Sequence, residues 1–411
     1  MSVATSANER SFPLFVAGIA VTQLLGWGTT FYLPSILDRP ISRDLGVGRE
    51  VVYGGISVML LVAALIAPRC GKWIDSQGAR TPMMVGKILL TIGLVGIGLS
   101  VGPLTYLASW VFIGLGMPMS LSIGALASVT QSFPERGRRG LRALMLFGGL
   151  SNGVIWPLTG WLEVEIGWRA VCFVYAGLQA LLCLPLAHAL VRSPAIDSAA
   201  KDGETPMVAG MLHADQRSRG FWLLVIAAGI SGLVSWGLPL YFVAMFRQAG
   251  MDLALAIFLA SFTAYFTFAA RLTDFLFAGH VSGIRIVATA ALFPPVVFGM
   301  MLWALADTTS GTAQIVMIGA AMGLYGMATG LIATSRATLP FELFGPGGYA
   351  ATLGKLSRWL NLMFAASPLL FAFLYDGLGK ITTLWIAMIA GIIAAIAYWR
   401  LDRLVGNHKA V

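Results

Sequence analysis

Two short stretches carry the side chains best suited to hold a small solute. The first is "LGWGTTFYLP" over 25–34, preceded by Gln23. On a helix Gln23, Trp27 and Thr30 share one face at i, i+4 and i+7, and Tyr32 follows them. The second is "SWGLPLYFV" over 235–243, which supplies Ser235, Trp236 and Tyr241, with Ser231 one turn earlier. Rings of this kind give apolar contact to a flat or amphipathic solute, and the hydroxyls and the amide set its orientation. Arg358 belongs with them, seven residues past Ala351, about 10 Å along a helix. Facing a cavity, its guanidinium fork would bind an anionic group; facing protein, it would be a structural partner, for instance of Asp274.

Elements that cross a membrane must position these residues. The chain has 411 residues, 58% hydrophobic and 11% charged, with a mean hydropathy of +0.82. Soluble domains run near ~25% charged, so a soluble globular class is excluded. The 48 glycines suit helices that pack closely in lipid. Met1 to Arg10 is short and polar, and the first apolar run is too long for a cleavable leader.

Twelve apolar runs are long enough to span: 12–37, 51–70, 83–101, 104–131, 141–162, 170–191, 221–246, 253–273, 284–306, 312–336, 351–375 and 381–401. The predicted fold is all-α, an integral membrane protein of two six-helix bundles, 1–191 and 221–411. Between them the polar segment 192–220, with "SPAIDSAAKDGETP", reads as a cytoplasmic linker. With both termini cytoplasmic, all but six of the 27 basic residues fall on the cytoplasmic side; the six are Arg39, Arg43, Arg49, Arg169, Arg247 and Lys380. That bias follows the positive-inside rule. It accounts for the net charge of +9 without a nucleic-acid partner.

The halves repeat. Trp27, Gly28 and Tyr32 align with Trp236, Gly237 and Tyr241 at one offset. "CGKWIDSQGAR" after the second run is echoed by "AARLTDFLFAG" after the eighth, which pairs Lys72 with Arg271 and Asp75 with Asp274. Gly114 and Met117 pair with Gly319 and Met322, and Pro157 with Pro368. Repeated bundles of this kind form transporters whose solute sites lie near the midplane, at the interface of the repeats.

The ionisable residues refine that expectation. Every acid falls in a loop, at a span end, in a terminus or in the linker, so no carboxylate waits at the midplane. Asp38, at the outer end of the first run, and Asp274, at the inner end of the eighth, are the nearest candidates for coupling protons, with Asp38 the stronger, although an interfacial role fits both as well. Lys87, Arg142 and Lys355 lie in first turns, where snorkelling to the cytoplasmic face explains them. His188 has no evident partner. Cys70, Cys172 and Cys183 make no metal pattern. No Ser, His and acid combination points to an enzyme, no phosphate loop to ATP drive, and no cofactor or metal is expected.

The segment "GKWIDSQGAR" resembles the loop 2–3 signature of the major facilitator superfamily, roughly G-x-x-x-D-R/K-x-G-R-R/K. Gly71, Asp75, Gly78 and Arg80 fit it, while Ser76 and Ala79 depart from it. The resemblance implies that this loop and its echo at Arg271 and Asp274 act in gating. It implies that runs 1, 4, 7 and 10 line the cavity and that the protein is a monomer. Asp75 suits such a role physically, because a helix N-terminus favours an anion. The "FYLPSILDRPISRDLG" exit from the first run is similar to the bacterial monocarboxylate and oxalate–formate branch.

The expectation is therefore a secondary carrier of a small neutral or anionic organic solute, such as a planar vitamin or a carboxylate. It would sit in a bacterial inner membrane, with the bilayer and the solute as its partners and a proton or counter-solute left open. Two alternatives stand beside it. Gly149, Gly153, Pro157 and Gly160 resemble the span-5 signature of antiporters, which fits efflux of drugs or, through the three thiols, metalloids. A non-transporting sensor or scaffold is the other.

Overall fold

The computed structural model describes residues 2–191, 211–277, 282–305 and 311–406, and among these every regular element is helical. Most of the expected linker, 192–210, lies outside the described residues. The α-helices are α1 (Ser2–Thr29), α2 (Pro34–Leu45), α3 (Arg49–Gln77), α4 (Arg80–Gly98), α5 (Pro103–Ser120), α6 (Ile123–Ser132), α7 (Gly137–Gly148), α8 (Ser151–Leu178) and α9 (Leu184–Leu190). They continue as α10 (Arg217–Gly237), α11 (Phe242–Gln248), α12 (Leu253–Leu276), α13 (Gly283–Ala290), α14 (Phe293–Ala304), α15 (Thr312–Phe344) and α16 (Tyr349–Gly406). A π-helical turn, Gln179–Cys183, joins α8 to α9.

Among the described residues, ten stretches are long and apolar enough to cross a bilayer. Two of them, Pro134–Leu190 and Tyr349–Gly406, run for 57 and 58 residues. A straight helix of that length would measure roughly 87 Å, against a hydrocarbon core of about 30 Å. Each is broken by a glycine in the left-handed region, Gly167 (φ 77°) and Gly379 (φ 78°), where any side chain would be strained. The twelve expected runs therefore arrive as ten stretches, with helix resuming directly on both sides of these two residues.

The chain forms two compact units that divide between Ala209 and Gly210, within the span 192–220, and one later segment crosses over to the first unit. Met1–Ala209 packs with Gly345–Asn361, and Gly210–Phe344 packs with Leu362–Val411. The first turns of α16 thus belong with the N-terminal bundle, for reasons given with the loop below. In the first unit Ile19, Leu60, Leu90, Trp110 and Ile113 are fully buried or nearly so. Gly116 lets α5 touch α4, since a Cβ there would stand 2.7 Å from the Gly86 carbonyl oxygen. At one end of this unit Arg169 ties three helices. Its guanidinium donates to the carbonyls of Gly98 and Ser100 at 2.8 Å each and to Asp44 at 3.0 Å. In the second unit the core is Leu238, Phe242, Phe246, Phe298, Tyr325 and Phe371.

Two basic residues read as snorkelling do not reach the surface. Lys87 has no exposed area and Arg142 only 2%; α4 and α7 turn these positions inward, against α1 and its neighbours. Lys355 is exposed, as its first-turn position suggests.

Candidate functional site

The opening helix of each unit breaks at the same place in the repeat. In the first unit α1 ends at Thr29, and the turn Thr30–Leu33 leads into α2 at Pro34. In the second, α10 ends at Gly237, and a 3-10 turn over Leu238–Tyr241 leads into α11. The sequence dictates both breaks. Pro34 and Pro239 have no N–H to continue the ladder. Thr29 and Thr30 bond back to the carbonyls of Leu25 (2.7 Å) and Gly26 (2.6 Å), a geometry that bends helices.

The break in the second unit sets out a compact polar and aromatic cluster. Trp236 stacks on Phe364, with ring centroids 4.7 Å apart and an interplanar angle of 14°. The guanidinium of Arg336, on α15, lies 5.0 Å from the centroid of the same Phe364 ring. One of its terminal nitrogens is 3.5 Å from Ser235 Oγ, and Ser235 Oγ donates to the Ser231 carbonyl at 2.5 Å. Nε of Arg336 is buried without a hydrogen-bond partner. Among the described residues no carboxylate pairs with this guanidinium. A cavity of about 20 Å³, bordered by Ser231, Ser235, Tyr325 and Thr329, has room for one water. Tyr241 lies apart from this cluster, its ring 4.8 Å from that of Tyr375.

Arg336 is missed when the tenth run is ended at 336. The helix continues to Phe344. The clue is "ATLPFELF", an apolar continuation through Pro340 that sets Arg336 two turns inside the helix rather than at its tip.

In the first unit the expected face is divided. Gln23 is buried and donates to the Ser120 carbonyl at 3.0 Å, and Thr30 is buried with its proton committed to Gly26. Trp27 and Tyr32 are half-buried on an aromatic run with Phe31 and Trp156. Arg358 packs with this unit, half-buried, and among the described residues it has no hydrogen-bond or ion-pair partner. Asp38 is buried and engaged: Arg49 Nε donates to it at 2.6 Å, and the backbone N–H of Arg39 at 2.8 Å.

The loop after α3 grips the start of α16. Asp75 accepts from the N–H groups of Ala350 (3.2 Å) and Ala351 (2.7 Å), where α16 begins and its first N–H groups lack helical partners. Gly71 makes the approach feasible, because a Cβ there would sit 2.2 Å from the Ala350 carbonyl oxygen. Gly354 does the same for the Ala67 carbonyl oxygen at 2.4 Å. These contacts are why Gly345–Asn361 joins the first unit. Gly78 ends α3 with φ 81°. Arg80 bonds His188 at 2.9 Å, which supplies the partner that His188 lacks in the sequence. Arg271 and Asp274 sit half-buried in the last turns of α12. Cys70, Cys172 and Cys183 are buried thiols, and no group of metal-ligating side chains converges among the described residues.

Multi-pass apolar helices in two units, each opening on a helix broken beside a tryptophan, define a polytopic membrane protein. A model of the Major Facilitator Superfamily matches residues 17–354, and the chain belongs to that superfamily. It is 24% identical over 285 residues to monocarboxylate transporter 4 of Rattus norvegicus, covering 68% of this chain and 59% of that protein. It is 25% identical over 198 residues to the oxalate:formate antiporter of Oxalobacter formigenes, covering 47% and 45%. The chain thus spans between about half and three fifths of the length of these relatives. A solved bacterial homologue of the iron transporter ferroportin, in an outward-facing state, shares the fold with a TM-score of 0.70 at 14% identity, over 95% of this chain and 99% of that one.

Proposed function

We propose that the protein is a secondary carrier of small organic anions, carboxylates first, working by alternating access. The observation that carries this reading is Arg336: a guanidinium inside a membrane helix, with no carboxylate beside it among the described residues and an unused buried N–H. Such a group is costly in lipid unless a ligand answers its charge. A carboxylate meets its fork in two parallel bonds, while the stacked Trp236 and Phe364 rings receive the apolar part of the solute. The carboxylate transport named for two relatives supports the same choice. Within the first unit, Arg358, without a hydrogen-bond or ion-pair partner among the described residues, is a further candidate cation for an anionic solute, and Trp27 and Tyr32 are candidate solute contacts.

In this reading the two glycine breaks convert the ten stretches into twelve crossings. Both termini are cytoplasmic, the membrane is a bacterial inner membrane, the protein acts as a monomer, and the Asp75 loop gates the cycle together with Arg271 and Asp274. The test is a thermal-shift and binding series with formate, oxalate and lactate on purified protein. At least one should stabilise the wild type and lose affinity in Arg336→Gln. If none binds, or if binding ignores Arg336→Gln, the reading fails.

A further inference from the structure

A carrier driven by protons needs a group that takes and releases one, and Asp38 is held by Arg49. The first unit contains another such group, which the sequence reading set aside. Lys87 sits seven residues inside α4, with no exposed area, about 10 Å from the helix start. Its Nζ has one hydrogen bond, to the Thr22 carbonyl on α1, and that bond is long at 3.3 Å. An ammonium offers three donors, so among the described residues two find no acceptor. Gly26 provides the space: a Cβ there would lie 3.5 Å from Nζ and 2.2 Å from the Leu121 side chain.

Among the described residues the surroundings hold no acidic counter-charge. Of the elements packed on α4, the π-helical turn brings the Cys183 thiol within electrostatic reach. On α9, His188 is bonded to Arg80. Among the described residues α1, α3, α5, α6 and α8 present no charged group to Nζ. Holding an amine in the interior on one long hydrogen bond is costly, and a purely structural position would be better filled by methionine or leucine. Lys87 lies beside the segment that breaks, since Thr22 and Gly26 precede the turn at Thr30–Leu33.

We propose that Lys87 is the proton-carrying site of this carrier: Nζ accepts a proton when water reaches it and gives it up when α1 and α4 close over it. Atoms balance simply, with one proton moving between hydronium or water and the amine lone pair. The proposal is independent of which solute is carried.

It is tested without solute, by pH jumps on the full-length protein reconstituted on a solid-supported membrane. The wild type should give a transient charge displacement. Lys87→Met, which removes the amine, and Lys87→Arg, which stays charged, should each lose it at least tenfold, while Asp38→Asn keeps it. A wild type without a transient, or a Lys87→Met protein that retains it, overturns the proposal. Should neither Lys87 variant fold, 15N spectra of lysine-labelled wild type decide. One of the six lysines should change protonation between about pH 5 and about pH 9, while the others stay ammonium, as ordinary lysines do. Six ammonium signals throughout that range overturn it.

Discussion

Asp75 and Ala351 are 276 residues apart in the chain and 2.7 Å apart in the fold, carboxylate oxygen to backbone nitrogen. The bond ends α3 and starts α16 with one group. It places a negative charge on the N-terminal end of a 58-residue helical stretch, where the aligned peptide dipoles favour it. Asp75→Asn keeps an acceptor but loses the charge, so it should cost about 1 kcal/mol. Gly71→Leu should cost more, because it forces the Ala350 backbone away. Melting temperatures of the two variants check the order. Equal effects would mean that charge and close approach contribute alike, against the geometry described.

Removing the Arg336 guanidinium should weaken carboxylate binding by roughly 1.5 to 3 kcal/mol, the range for hydrogen bonds to charged groups. Arg336→Lys should recover only part of it, since an ammonium does not reproduce a planar fork. Isothermal titration of the two variants with the best carboxylate ligand measures both. Full recovery by lysine would reduce the site to a point charge.

Trp236→Ala should lower affinity for solutes with an apolar body more than for formate. The stacked pair it forms with Phe364 offers contact area, and offset aromatic stacking adds about 0.5 to 1.5 kcal/mol beyond burial. The same substitution at Trp27, whose ring meets Phe31 edge-on at 5.9 Å, serves as comparison. Competition binding across a chain-length series of carboxylates reads the difference, and a loss that is uniform along the series would place Trp236 outside the solute's apolar contact.

Arg169→Ala should destabilise the first unit by about 2 kcal/mol, because two carbonyls at the end of α4 and the Asp44 carboxylate lose their donor together. Solute affinity should be unchanged if Arg336 carries it. Denaturation in detergent alongside binding separates the two readouts; a fall in affinity without a fall in stability would move Arg169 into the solute path.

Much of the architecture is legible because bilayer physics writes it into composition. Twenty apolar residues in a row announce a crossing, and a repeated Trp-Gly pair announces that the two opening helices break alike. The resemblance of "GKWIDSQGAR" also indicates where a carboxylate would meet a helix N-terminus. Lys87 and Arg336 were not legible in the same way. Each lies near a span end in sequence, where snorkelling is the economical reading, and only the direction in which a helix turns its side chain decides between surface and interior. Gln23 and Thr30 show the converse. Their spacing is right for one face, yet their donors are taken by the Ser120 and Gly26 carbonyls.

What the amino-acid sequence determined by itself is the class: a repeated helical membrane protein with no enzyme motif, its breaks set by proline and threonine chemistry local to a few residues. What only the tertiary structure decided is which charges have partners. Arg49 found Asp38 and Arg80 found His188, while Lys87 is buried and Arg336 half-buried with no acid beside either among the described residues. Pairing depends on helices that lie far apart in the chain, and local periodicity carries no information about which of them meet.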